Sequence, residues 1–160
     1  MAIWHFRVGL VPCDSVNAYY GNIPLAVPDQ DIAKHDFWAT YQTPTNWESL
    51  LVPFGPEISS WSEEMRCWGA EEGHQISVLY QRGRVEWITA KVDARIPCTD
   101  FLRQIIHLAV QLNCLLLASE TYILEPEFGA LFERFRSSVA ARYLADPAAT
   151  LKSLPKGDAK

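Results

Sequence analysis

Residues 65–95 read MRCWGAEEGHQISVLYQRGRVEWITAKVDAR, and the fold turns on this stretch. Runs of strand composition, Met65 to Gly69, His74 to Gln81 and Arg84 to Arg95, are separated by Ala70-Glu71-Glu72-Gly73 and Gln81-Arg82-Gly83-Arg84. Each connection carries a glycine, which supplies the positive φ that tight antiparallel turns need. In the last run Glu86, Ile88, Ala90, Val92 and Ala94 alternate with Val85, Trp87, Thr89, Lys91 and Asp93, so one face is mostly apolar and the other turns polar toward its end. The pattern predicts an antiparallel meander with one buried face. Asp93 and Arg95, at alternate positions, are placed to form a structural ion pair, with a functional role as the lesser reading.

Downstream the period changes from two to about 3.6. Phe101, Leu102, Ile105, Leu108, Ala109 and Leu112 predict a helix over residues 100–113, capped by Thr99 or Asp100. Cys114 to Ala118 is an apolar run of strand length, with helix continuation as its alternative, and Tyr122 to Leu124 is a further extended piece. Pro126 fits the first position of a long helix, 126–144, with Phe128, Leu131, Phe132, Phe135, Val139 and Tyr143 on one stripe. Asp146-Pro147 signals a last short helix to about Leu154, and 156–160 reads as a frayed tail.

Upstream, Ile3 to Val11 has the β-branched and aromatic content of a first strand, followed by Pro12. Residues 12–43 are punctuated by Pro12, Pro24, Pro28, Gly21 and Asn22, and their aromatics keep no period. A loop of that length is unusual in a compact domain, so part of it is expected to form short helix or strand. Thr45-Asn46-Trp47-Glu48 matches a capping box ahead of a short helix that Pro53 ends. Together these elements predict one α+β domain over residues 1–155, an antiparallel β-meander packed against two or more helices.

With 160 residues, 49% hydrophobic and 21% charged, the chain has an ordinary globular composition, which excludes a disordered tail, a collagen-like fibre or a coiled-coil rod. Its net charge of −5 argues against nucleic acid as a partner, because phosphate contacts need clustered cations. The charge is unevenly spread: residues 1–80 hold three cations (Arg7, Lys34, Arg66) against ten carboxylates, a net of −7, and the rest carries +2. Cys13, Cys67, Cys98 and Cys114 have no C-x-x-C spacing and read as reduced, mostly buried residues, with two disulfides possible on parity alone. The N-terminus shows no secretory pattern, and the longest apolar run, Ile105 to Ala118, falls short of a membrane span. The expectation is a cytoplasmic protein with no membrane contact.

The carboxylates are densest where tryptophans interleave them: Glu57, Trp61, Glu63, Glu64, Trp68, Glu71 and Glu72. Acids among indoles suit a surface that attracts a basic protein at long range and anchors it with large, stiff side chains. The plainer alternative makes the tryptophans core and the glutamates a solvated face. Glu71-Glu72-Gly73-His74 invites a metal or acid–base reading, yet no H-x-H, H-E-x-x-H or D-x-D spacing completes a ligand set. His107, on a helix beside apolar neighbours, reads as semi-buried and hydrogen-bonded. No G-x-S-x-G, phosphate loop or dinucleotide glycine pattern occurs, and neither cofactor nor metal is expected.

The order of Cys67-Trp68-Gly69, Val85-Glu86-Trp87-Ile88, Val92-Asp93-Ala94-Arg95, Ser137-Ser138 and Asp146-Pro147 resembles a diffuse group of small uncharacterised bacterial proteins. Some of these are similar to immunity proteins, which neutralise toxins delivered between bacteria. The resemblance spans roughly residues 60–150 and implies a single-domain α+β binder without activity of its own. The expected function is therefore non-enzymatic binding of a protein, such as a basic toxin domain. The alternative is a small enzyme or ligand-binding domain with a pocket beside the sheet, using His74 or a cysteine.

Overall fold

The computed structural model describes residues 2–154, so the tail expected over 156–160 lies outside the described residues. In chain order the elements are β1 (His5–Pro12), α1 (Cys13–Tyr20), α2 (Asp29–Lys34), a 3-10 helix (Trp47–Phe54), β2 (Glu57–Ile58), β3 (Met65–Gly69), β4 (Gln75–Gln81) and β5 (Arg84–Asp93). Then come α3 (Thr99–Gln111), β6 (Cys114–Ala118), β7 (Tyr122–Leu124), α4 (Phe128–Arg136), α5 (Val139–Ala145) and α6 (Pro147–Ser153). The strands form one sheet in the order β2-β3-β4-β5-β1-β6-β7, and every neighbouring pair is antiparallel. The meander β3–β4–β5 is present, and α3 carries the chain across β1 from β5 to β6. The class is α+β.

The two faces of the sheet are covered unequally. On one, Val8, Leu10, Ile76, Val78, Ile88 and Ala90 are fully buried under Leu102, Ile105 and Leu108 of α3, Leu51 of the 3-10 helix and Leu131 of α4. On the other, Val11, Leu115 and Leu117 lie beneath Val16 of α1, Val27 and Phe37, with Ile32 of α2 packed at the margin. Residues 12–43 thus supply the two short helices of the second layer. They cover only the β1–β6 side; across β3, β4 and β5 that face is bare of helix, its outward side chains half-buried and Cys67 and Asp93 buried.

Several local expectations give way to competing interactions. Glu48 does not close a capping box: Asn46 starts the 3-10 helix in the left-handed region without a side-chain cap, because Arg66 and Tyr80 hold the Glu48 carboxylate. Cys98, not Thr99 or Asp100, occupies the N-cap of α3, again with no side-chain cap. The long helix is broken in two where Ser138 accepts from the Ala141 amide and caps α5, and α4 begins at Phe128, past Pro126. The Asp146 cap and Pro147 start of α6 are as expected.

Between Leu79 and Tyr80 the β4–β5 register shifts, so Val85 and Ile88 are both buried and Glu86 joins Trp87 on the bare side. Strict alternation along β5 is thereby lost. The positive φ in the β3–β4 turn falls on Gly69 (113°) and not on Gly73, whereas the second turn uses Arg82 (53°) and Gly83 (77°).

Candidate functional site

The acidic stretch does not fold into one patch. Trp68 is buried in the core at 5% exposure and offers no surface to a partner. Glu57, on β2, is held by Arg66, whose Nε and Nη2 donate to its two oxygens at 2.8 and 3.0 Å. The same guanidinium donates from Nη1 to both oxygens of Glu48 at 2.8 Å and lies over the Trp68 ring at 4.9 Å. Tyr80 first, and then Arg66, hold the Glu48 carboxyl below its ordinary value against the effect of burial, and Arg66 does the same for Glu57. Glu48 and Glu57 therefore share one guanidinium, which leaves a single net negative charge on the cluster.

The remaining glutamates separate. Glu63 and Glu64 are exposed before β3, and Glu71 and Glu72 are exposed in the turn after it. Across a five-residue strand at about 3.3 Å per residue the pairs stand on the order of 15–20 Å apart, roughly two Debye lengths at physiological salt. They act as two weak spots, not one field. Trp61, in the 59–64 loop, is 86% exposed and borders the bare half of the sheet.

That bare half is a trough. One hollow in it, of about 420 Å³, is walled by Trp61 and floored by the outward residues of β4 and β5, with Arg7 of β1 at its end. A second hollow of about 250 Å³ continues past Trp87 toward Ile32 and Ala33 of α2. Cross-strand register sets the floor in rows: Gln75, Lys91 and Arg7 form one, Ser77, Thr89 and Gly9 the next, and Leu79 with Trp87 the third. One end is cationic, the middle carries hydroxyls, and the far end is the apolar pair Leu79 and Trp87 with Glu86 beside it, while Asp29 and Glu120 line the second hollow. Gly9 leaves room for the Trp87 indole, since a Cβ there would stand 3.2 Å from its Cζ2. Volume, apolar walls and a few convergent polar groups are what small-ligand sites have in common.

The groups expected in a catalytic pocket are engaged elsewhere. His74 Nδ1 accepts from the Asp93 amide at 3.0 Å, so Nε2 carries the proton and donates to the Pro97 carbonyl at 2.9 Å, while the ring stacks on Phe101. The four cysteines are free; Cys67, Cys98 and Cys114 are buried, and burial raises the thiols of Cys98 and Cys114. His107 is exposed, correcting its semi-buried assignment. Among the described residues no group of three or more His, Cys, Asp or Glu is placed to hold a metal. No helix there is long and apolar enough to cross a membrane. Compared with protein-family models, curated proteins and solved structures, the chain matches none.

Of the trough residues, only Trp61 belongs to the stretch that the sequence singled out. Arg7 and Lys91 lie 84 positions apart on strands whose pairing is set by the tertiary fold, so no local spacing marks them. The available signal was the outward set Trp87, Thr89 and Lys91, which reads as a solvated face until the uneven helix cover is known.

Proposed function

We propose that the protein is a non-enzymatic binding domain that engages another protein through the exposed 59–64 loop. The exposure of Trp61 carries this reading. An indole burying roughly 150–250 Å² contributes on the order of 4–6 kcal/mol of apolar transfer before ordering costs. Such side chains are the usual anchors of protein interfaces. Glu63 and Glu64 beside it favour a basic partner and give association a salt-dependent rate. In its specific form the proposal is an antidote to a toxin, which needs a complementary surface and no chemistry of its own.

The test is affinity capture from the native lysate at low and high salt, followed by measurement of the recovered complex. A stoichiometric partner whose affinity falls at least about tenfold with Trp61→Ala, and whose association slows with Glu63→Lys/Glu64→Lys, supports the proposal. A partner indifferent to both substitutions refutes this surface as the interface.

A further inference from the structure

We infer that the trough on the bare sheet is a binding site for a small organic acid with a flat apolar body, its acid group held by Arg7 and Lys91 and its body laid against Trp87. This goes beyond protein binding and does not rest on it.

Arg7 and Lys91 are directly opposite each other in the β1–β5 ladder. Directly opposed side chains have Cβ atoms about 4.5–5.5 Å apart, where like charges destabilise a sheet. An anion bound between such a pair relieves that repulsion. Their partners in the structure use only part of their capacity. Arg7 Nη1 meets Glu120 at 3.4 Å, and Lys91 Nζ donates to the Glu71 carbonyl at 2.7 Å. A guanidinium offers five N–H donors and an ammonium three, so donors remain on both. The positive field is felt next door: after burial, Lys91 and to a lesser degree Arg95 and Arg7 push the His5 imidazole below its ordinary value, against an opposing pull from Asp93.

The rest of the trough fits the body of such a ligand. Thr89 and Ser77 place hydroxyls in the row beside the cations, and Leu79 with Trp87 forms the next row. Four residues along β5 separate Lys91 from Trp87, about 13 Å of strand, which the long Arg and Lys arms shorten toward the length of a two-ring acid. Trp61 supplies a wall, and the volume of about 420 Å³ lies in the range of small-ligand sites. Opposed cations and a stacking platform together select an anion that is also flat; a bare inorganic ion would leave the indoles unused.

Isothermal titration of 2-naphthoate and of its neutral analogue 2-naphthalenemethanol into the purified full chain, with no partner present, tests the site. The acid is expected to bind at least about tenfold more tightly than the alcohol. Arg7→Gln and Lys91→Gln should each weaken the acid about three- to tenfold, and the double variant should remove its preference over the alcohol. Trp87→Leu should weaken both ligands, and thermal melts of all variants establish that they fold. Equal binding of acid and alcohol, a preference that survives in the double variant, or no binding of naphthoate overturns the inference. So does binding of an acidic peptide such as Asp-Phe-Asp in place of naphthoate, which would assign the trough to a protein segment.

Discussion

Arg66 and Glu48, separated by 18 residues, meet through both carboxylate oxygens at 2.8 Å, which ties the 3-10 helix to β3. Glu57 brings β2 into the same clamp, and the Trp68 ring lies beneath it. Single exposed ion pairs contribute about 0–1 kcal/mol, and both partners here are more than a third exposed. The fork joins three elements, however, so Arg66→Ala is expected to lower stability by about 1–2 kcal/mol in urea unfolding. Arg66→Lys should recover little of this, because an ammonium cannot grip two carboxylates bidentately. Full recovery with lysine would show that charge, not geometry, holds the clamp.

A second ion pair makes stability depend on pH. Asp93 is fully buried, and the Arg95 guanidinium and backbone amide donate to it at 2.6–3.2 Å. Hydrogen bonds from Arg95 outweigh burial and bring the carboxyl from 3.8 down to about 2. A carboxyl depressed by folding stabilises the native state above its unfolded pKa, and that contribution is lost as pH falls through the folded value. The window is therefore pH 4 to 2. The full contribution is about 2 kcal/mol at most, since Arg95 keeps 40% side-chain exposure and solvent screens it. Urea midpoints should fall steeply for the native chain in that window and much less for Asp93→Asn. Parallel curves would exclude Asp93 as the source.

The meander, α3, β6 and the Asp93–Arg95 pair were legible because each rests on residues close in sequence. The bulge at Leu79/Tyr80 was not, since Val85 follows the core and departs from the alternation of its own strand. Nor was the clamp: Thr45 and Glu48 have the local spacing of a capping box, yet Arg66 and Tyr80 compete for the same carboxylate and win. Trp61 and Trp68 looked alike in a run of acids. Strand pairing alone decides that Trp68, opposite Ile76, enters the core, while Trp61 stays on a loop.

Gly69 is the position where a side chain is least tolerated. Its φ is 113°, and a Cβ there would collide with the carbonyl oxygen of His74, a rigid backbone atom that accepts from the Ala70 amide. Gly69→Ala combines backbone strain with that clash and should cost more than about 2 kcal/mol. Gly73→Ala makes a useful comparison, because φ there is not positive and the nearest atom is the Ala70 Cβ at 3.2 Å. The thermal midpoint should drop several degrees further for Gly69→Ala. A reversed order would contradict the assignment of the strained position.

Gly9→Ala probes the trough floor without the same penalty. Gly9 has no positive φ, and the obstructing atom is the edge of the half-buried Trp87 indole, which can tilt toward the open face. Relief of glycine flexibility in a strand, worth roughly 0.5–1 kcal/mol, offsets that displacement, so the thermal midpoint should stay nearly constant. The near-ultraviolet circular dichroism should change as the indole moves. A large loss of stability with an unchanged spectrum would mean that Trp87 is fixed and the strand distorts instead.

Trp61, Glu63 and Glu64 provide the cleanest separation of binding from folding. All three are exposed in the 59–64 loop, and the contacts that hold it are made by other groups: the Ser60 and Ser62 hydroxyls accept from the Ser62 and Glu64 amides, and the Glu64 carbonyl accepts from the Tyr80 amide at 2.7 Å. Because these bonds end on backbone or serine oxygens, Trp61→Ala and Glu63→Lys/Glu64→Lys leave them intact. Stability should stay within about 0.5 kcal/mol of the native chain. Trp61→Phe should also be neutral, since an exposed aromatic has no packed neighbours to lose. A loss above about 2 kcal/mol for Trp61→Ala would mean that the indole folds onto the sheet in solution and serves the core, which would remove the main support for the docking surface.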